Sequence, residues 1–110
     1  MRYIEFGKEG DPIVLIIYPN DWRKICGLTQ LQKRYHVIIP MVEDGKDVKS
    51  VMECFKEKYG NSVYAICALD TGWDILKCLL NKKYILAEKM LIEGPECTPG
   101  NFIVHTLMNR

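Results

Sequence analysis

Among the residues able to do chemistry, Asp70 stands out by its place. It comes straight after the apolar run of Ser62-Val-Tyr-Ala-Ile-Cys-Ala-Leu69, with Ala68 two residues before it and Gly72 two residues after it. A sharp strand-to-helix turn needs small residues at those two places, because a larger side chain meets the neighbouring backbone. A carboxylate lifted clear of the sheet on such a turn can act as a nucleophile, accept a phosphoryl group or bind a ligand. The plainer reading is that Asp70 caps the helix beginning near Trp73, accepting N–H bonds at its positive end.

The other chemical residues form no comparable group. The five cysteines are Cys26, Cys54, Cys67, Cys78 and Cys97. Their number is odd and no C-x-x-C pair exists, so they read as reduced thiols. Cys67 in its strand, and Cys54 and Cys78 on helical apolar faces, are expected in the core as small hydrophobes. No Cys/His pairs have metal-ligand spacing, and no metal or cofactor is expected. His36 reads as a partly exposed residue leading into a strand. Asp74 after Asp70 lacks the i, i+2 spacing of an aspartyl phosphatase pair.

The elements that must position Asp70 are set by hydrophobic pattern. The chain has 110 residues, which suits one domain. Hydrophobic residues make up 48% and charged residues 26%, an ordinary globular balance. The net charge of +1 and the scattered lysines point away from nucleic acid and anionic membranes. No signal peptide and no membrane-length apolar run is evident, so a cytoplasmic location is expected.

Arg2 to Phe6 alternates as a short strand, and Gly7 to Pro12 is a turn. Ile13 to Tyr18 is continuously apolar and β-branched, as in a strand covered on both faces. These first two strands are expected to form a hairpin. Trp22 to Tyr35 has helical spacing, weakened by Gly27, which can delay the helix to Leu28. His36 to Pro40 is a strand. Asp47 caps a helix over Val48 to Tyr59, and Gly60-Asn61 stops it. Val63 to Cys67 is the central strand, Ala68 to Gly72 the turn, and Trp73 to Leu80 a helix. Glu88 to Glu93 is the last strand, and Pro99 to Met108 the last helix.

Strands alternating with helices in this way imply right-handed crossovers and a three-layer α/β sandwich on a mostly parallel sheet of five strands. Ligands bind such sheets at the carboxyl ends of the strands. Three loops meet there: Tyr18 to Trp22, Met41 to Lys46, and Ala68 to Trp73.

Across these elements the chain resembles the N-terminal half of the α/β-hydrolase superfamily. Met1-Arg-Tyr-Ile-Glu-Phe-Gly7 resembles the family's opening strand. Ile13 to Trp22 resembles its strand and oxyanion loop, and Gln32 to Pro40 the strand after that. Ala68-Leu-Asp-Thr-Gly72 sits where the family has its Gly-x-Ser-x-Gly elbow, and Met90-Leu-Ile-Glu-Gly94 resembles the strand after the elbow helix. The resemblance implies a pocket or oxyanion region formed by Tyr18, Asn20, Asp21, Leu69, Thr71 and Trp73, around Asp70 at the nucleophile position.

The departures shape the functional expectation. Asp70 replaces Ser, and Tyr18-Pro19 replaces the oxyanion His-Gly, with Pro19 unable to donate. The strands carrying the family's acid and catalytic His have no counterpart, and His105 lies in another part of the pattern. Haloalkane dehalogenases and epoxide hydrolases of this superfamily use an elbow Asp, but they free the ester with a His-activated water. The expectation is therefore a truncated, degenerate hydrolase-like protein, silent or weak in catalysis and keeping a small-molecule pocket. One alternative is a receiver-like signalling domain with Asp70 as phospho-acceptor, for which only Asp21 and Lys89 are available as the other family residues. Another is a hydrolase completed by a second polypeptide. The strand Glu88 to Glu93 is left with an unpaired edge, so a homodimer through that edge or the last helix is expected.

Overall fold

The computed structural model describes residues 3–18, 22–41, 48–81, 85–94 and 98–109. Strands β1 (Tyr3–Phe6), β2 (Ile13–Ile17), β3 (His36–Pro40), β4 (Ser62–Leu69) and β5 (Leu86–Glu93) form one sheet in the order β1-β3-β2-β4-β5. Helices α1 (Val48–Tyr59) and α2 (Gly72–Asn81) cover one face. Helix α3 (Asn101–Met108) and the 3-10 segments Trp22–Lys24 and Leu28–Lys33 belong to the other. This is the expected three-layer sandwich, parallel at every pairing but one.

The exception corrects the expected hairpin. β1 pairs antiparallel with β3, Tyr3 opposite Pro40 and Phe6 opposite Val37. β2 is apolar on both faces and already has β3 on one side and β4 on the other. With both its edges taken, β2 has no place for β1, which joins at the outer edge of β3. That also corrects His36. It begins β3, is only 3% exposed, and packs its ring against Tyr59. Its Nε2 stands 3.7 Å from the Glu5 carboxylate of β1, which also meets Lys58 at 3.3 Å.

The continuous helix expected over Trp22 to Tyr35 is broken into two short 3-10 pieces. Gly27 between them takes φ 70, a left-handed conformation that stops one turn before the next begins. Leu28 and Leu31 still bury themselves on the sheet. Cys54 and Cys78 are also corrected, because both are exposed. In α1 the buried stripe is Val51, Met52 and Phe55, and in α2 it is Ile75 and Leu76; each cysteine lies off that stripe. Cys67 is fully buried between β2 and β5 as expected. The cap at Asp47 and the thiol of Cys97 lie outside the described residues.

Two polar devices tie α3 to the sheet. Glu93, the last residue of β5, is only 3% exposed. Its carboxylate accepts the backbone N–H groups of Gly100 at 2.6 Å, Phe102 at 2.9 Å and Ile103 at 3.4 Å. Those donors have no partner inside the helix, and a negative charge suits this end of the helix dipole. At the other end the hydroxyl of buried Tyr35 donates to the Leu107 carbonyl at 2.8 Å, and Arg34 to that of Met108 at 3.1 Å.

Replacing Glu93 by Ala should strand three buried or half-buried N–H groups. We expect Glu93→Ala to lower unfolding free energy by about 2–4 kcal/mol in urea titration. Amide exchange should quicken first in α3. An unchanged urea midpoint would show that the carboxylate does not anchor the helix.

Candidate functional site

Residue 70 lies at the carboxyl end of β4, where β4 is flanked by β2 and β5. Leu69 ends the strand opposite Glu93, and the N–H of Asp70 donates to the Glu93 carbonyl at 3.0 Å. The chain then reverses within Asp70 and Thr71, and α2 begins at Gly72. In the first turn of α2, Trp73 N–H donates to the Asp70 carbonyl at 3.4 Å, and Asp74 N–H to that of Thr71 at 3.2 Å.

Two backbone facts decide how tight this turn is. Asp70 has φ 52, the one non-glycine residue with positive φ among the described residues. Gly72 lies so close to β2 that a Cβ there would run into the carbonyl oxygen of Ile17. Asp is one of the few side chains that tolerate the left-handed region, but it is held there at a cost. The residue between Ala68 and Gly72 in the small-x-Asp-x-small spacing is the one with positive φ. Leu69, the residue before it, is only 1% exposed and points into the core.

Of the remaining residues expected here, Thr71 is exposed beside exposed Asp70. Trp73 is half-buried against the α1/α2 face, with Lys77 5.5 Å from its ring centroid. Tyr18 follows β2 next to the elbow strand and is buried on the opposite face, in the same cluster as Leu69. Asn20 and Asp21, like Pro19 between Tyr18 and them, lie outside the described residues. Asp74 pairs with Lys77 at 3.3 Å on the surface of α2.

The two histidines are placed elsewhere. His36 pairs with Ile13 at the start of β2, the opposite end of the strands from Asp70. His105 is exposed on α3, its Nδ1 3.1 Å from the Asn109 side chain. It lines a cavity of about 220 Å³ with Cys26, Gln30 and Asn109. That Cys26 and His105 line one cavity was not readable from spacing, because it depends on α3 packing on the broken 3-10 segment. Two cavities of about 430 Å³ open at the amino ends of the strands, one against Lys58, His36 and Tyr59, the other against Ser62, Tyr64 and Glu88. Cys67, buried close to Glu93, has its thiol pushed up by burial first and by that carboxylate second. It stays protonated and does not serve as a nucleophile. Among the described residues no three His, Cys, Asp or Glu side chains converge as a metal site.

No protein-family model matches the chain, and no curated protein matches it. A crystal structure does. It is that of a protein from Desulfitobacterium hafniense provisionally assigned to the alpha/beta hydrolase family, with a TM-score of 0.72 and 18% identity. The fold is α/β-hydrolase-like. The match takes in 88% of this chain but 48% of the neighbour, so the chain spans about half the length of that protein. At this identity the likeness speaks for the fold alone. No helix among the described residues is long and apolar enough to cross a membrane.

The elbow geometry has a measurable signature. Asp70→Ala and Asp70→Gly remove the same carboxylate, but only Ala carries a Cβ into φ 52. We expect the Ala variant to be less stable than the Gly variant by about 1–2 kcal/mol in parallel denaturant melts. Equal stabilities would mean that residue 70 is not held left-handed.

Proposed function

We propose that this chain is a degenerate α/β-hydrolase-like protein that keeps the elbow as a small-molecule site and does not turn substrate over. The observation that supports this reading is Asp70 itself. It is exposed at the end of a central strand, in the strained turn where a hydrolase-like fold presents its nucleophile. Neither histidine stands ready to serve it: His36 is at the opposite end of the sheet, and His105 is engaged with Asn109 on α3.

The chemistry explains why that combination favours binding over turnover. A carboxylate attacking carbon forms an ester, and releasing it calls for a base to activate water. Without that base each attack consumes one protein molecule. A carboxylate at the end of a central strand can still bind a ligand without covalent chemistry. Exposed Thr71 and half-buried Trp73 next to it supply a hydroxyl and an aromatic surface, the mixture on which small-molecule sites are built.

The test is hydrolysis of an activated ester, an epoxide and a haloalkane by the purified chain. We expect rates equal to buffer, the same in Asp70→Asn. Saturable turnover abolished by Asp70→Asn would replace this reading with an active hydrolase. In a fragment screen by NMR, shift changes should gather at Leu69, Thr71 and Trp73.

A further inference from the structure

We propose that α3 is a latch on the elbow: its docking on Glu93 fixes the backbone of Asp70, and its release lets the left-handed turn relax. Glu93 is bonded in two directions. Its carboxylate accepts the N–H groups of Gly100, Phe102 and Ile103 at the start of α3. Its carbonyl accepts the N–H of Asp70 at 3.0 Å. The proposal deepens the reading of Asp70 as a binding site and rests on that reading for its consequence alone; the coupling rests on these bonds.

Undocking α3 has a defined effect on Glu93. Once those N–H groups leave, a carboxylate only 3% exposed is left without them, and a buried charge in that state must reach water. The side chain lies in the dry interior close to Cys67, so reaching water moves its backbone as well. Glu93 is the last rung of the β4–β5 ladder, opposite Leu69, and no rung beyond it resists the turn. Its carbonyl turns with it and gives up the N–H of Asp70.

The elbow is the part that feels this loss. Asp70 at φ 52 is in a costly conformation, and such residues persist only where their surroundings over-determine them. On the β2 side Gly72 lies against the Ile17 carbonyl. On the β5 side the Glu93 carbonyl holds the N–H. Without the second hold, Asp70 moves toward an ordinary φ and its carboxylate leaves the place where the fold presents it.

α3 is built to depend on its docking. It has 8 residues, and a helix that short is not stable by itself. Its start is seated by Gly100, where a Cβ would run into Ile25, and by Pro99, whose carbonyl accepts the Cys26 N–H at 2.6 Å. Its far end is held by Tyr35 and Arg34 through the carbonyls of Leu107 and Met108. Those two residues come just before β3, at the opposite end of the sheet from Asp70. They are remote handles on the latch.

Amide exchange measured by NMR on the free full chain tests the coupling. Tyr35→Phe removes the buried bond at the far end of α3, and Arg34→Ala removes the exposed one beside it. Each should quicken exchange in α3 and, in step with it, at the Asp70 N–H, by about fivefold for Tyr35→Phe. In a Glu93→Ala background the latch is already cut, and adding Arg34→Ala should leave Asp70 unchanged. Val51→Ala, in the core against α1, loosens the other face and should leave Asp70 unchanged too. An Asp70 rate that stays fixed while α3 quickens, one that rises as much in Val51→Ala, or one that still follows Arg34→Ala without Glu93 would each overturn the proposal. None of these results touches the reading of Asp70 as a binding site, which is tested by fragment shifts and hydrolysis.

Discussion

Between the carbonyl of Ile17 and the first turn of α2 there is room for a hydrogen atom and nothing larger. The rest of the molecule depends on that closeness. β2 and β4 are paired with Ile17 opposite Ala68, so a helix starting three residues after the end of β4 must start against β2. Only glycine admits the approach, and the chain makes the reversal in time only by putting Asp70 into the left-handed region. The strain is therefore not an ornament of the turn. It arises because a helix is laid on the sheet directly after a buried central strand. Its by-product is an exposed carboxylate at the end of the central strand.

The same strand end carries the second anchor. The Glu93 carbonyl receives Asp70's N–H, and its carboxylate receives the start of α3. A buried charge is costly unless its bonds are made, and here three N–H groups make them. The elbow on one face and the α3 anchor on the other thus share one residue. Cys67 lies between β2 and β5 in this region, and its thiol is suppressed by the same dryness that strengthens the anchor.

What could be read from sequence was whatever is local. The apolar run of β2, the stripe of α1, and the small-x-Asp-x-small spacing at 68–72 each carry their own signal, and each element is present with ends shifted by at most a few residues. The features that escaped depended on neighbours distant in the chain. β1 looks like half of a hairpin until one knows that β3 and β4 already occupy both edges of β2. His36 looks like an edge residue until β1 pairs beside β3 and brings Glu5, and Tyr59 packs on its ring. Gly27 was a visible weakness in a helical pattern, but only its backbone shows that the helix is replaced by two 3-10 turns. At the site, the position of Asp70 was legible because its constraint is steric and local. The cavity shared by Cys26 and His105 was not, because it needs the packing of α3.

On the proposed reading, Asp70 is presented as a nucleophile would be and yet does no covalent chemistry. The most direct measurement is the intact mass of the full chain after prolonged incubation with a terminal epoxide, with peptide mapping of residues 62–81 afterwards. Asp70 should carry no ester, even if the exposed thiols are alkylated. A stable ester on Asp70, absent when the protein is first unfolded, would show an activated carboxylate and contradict it.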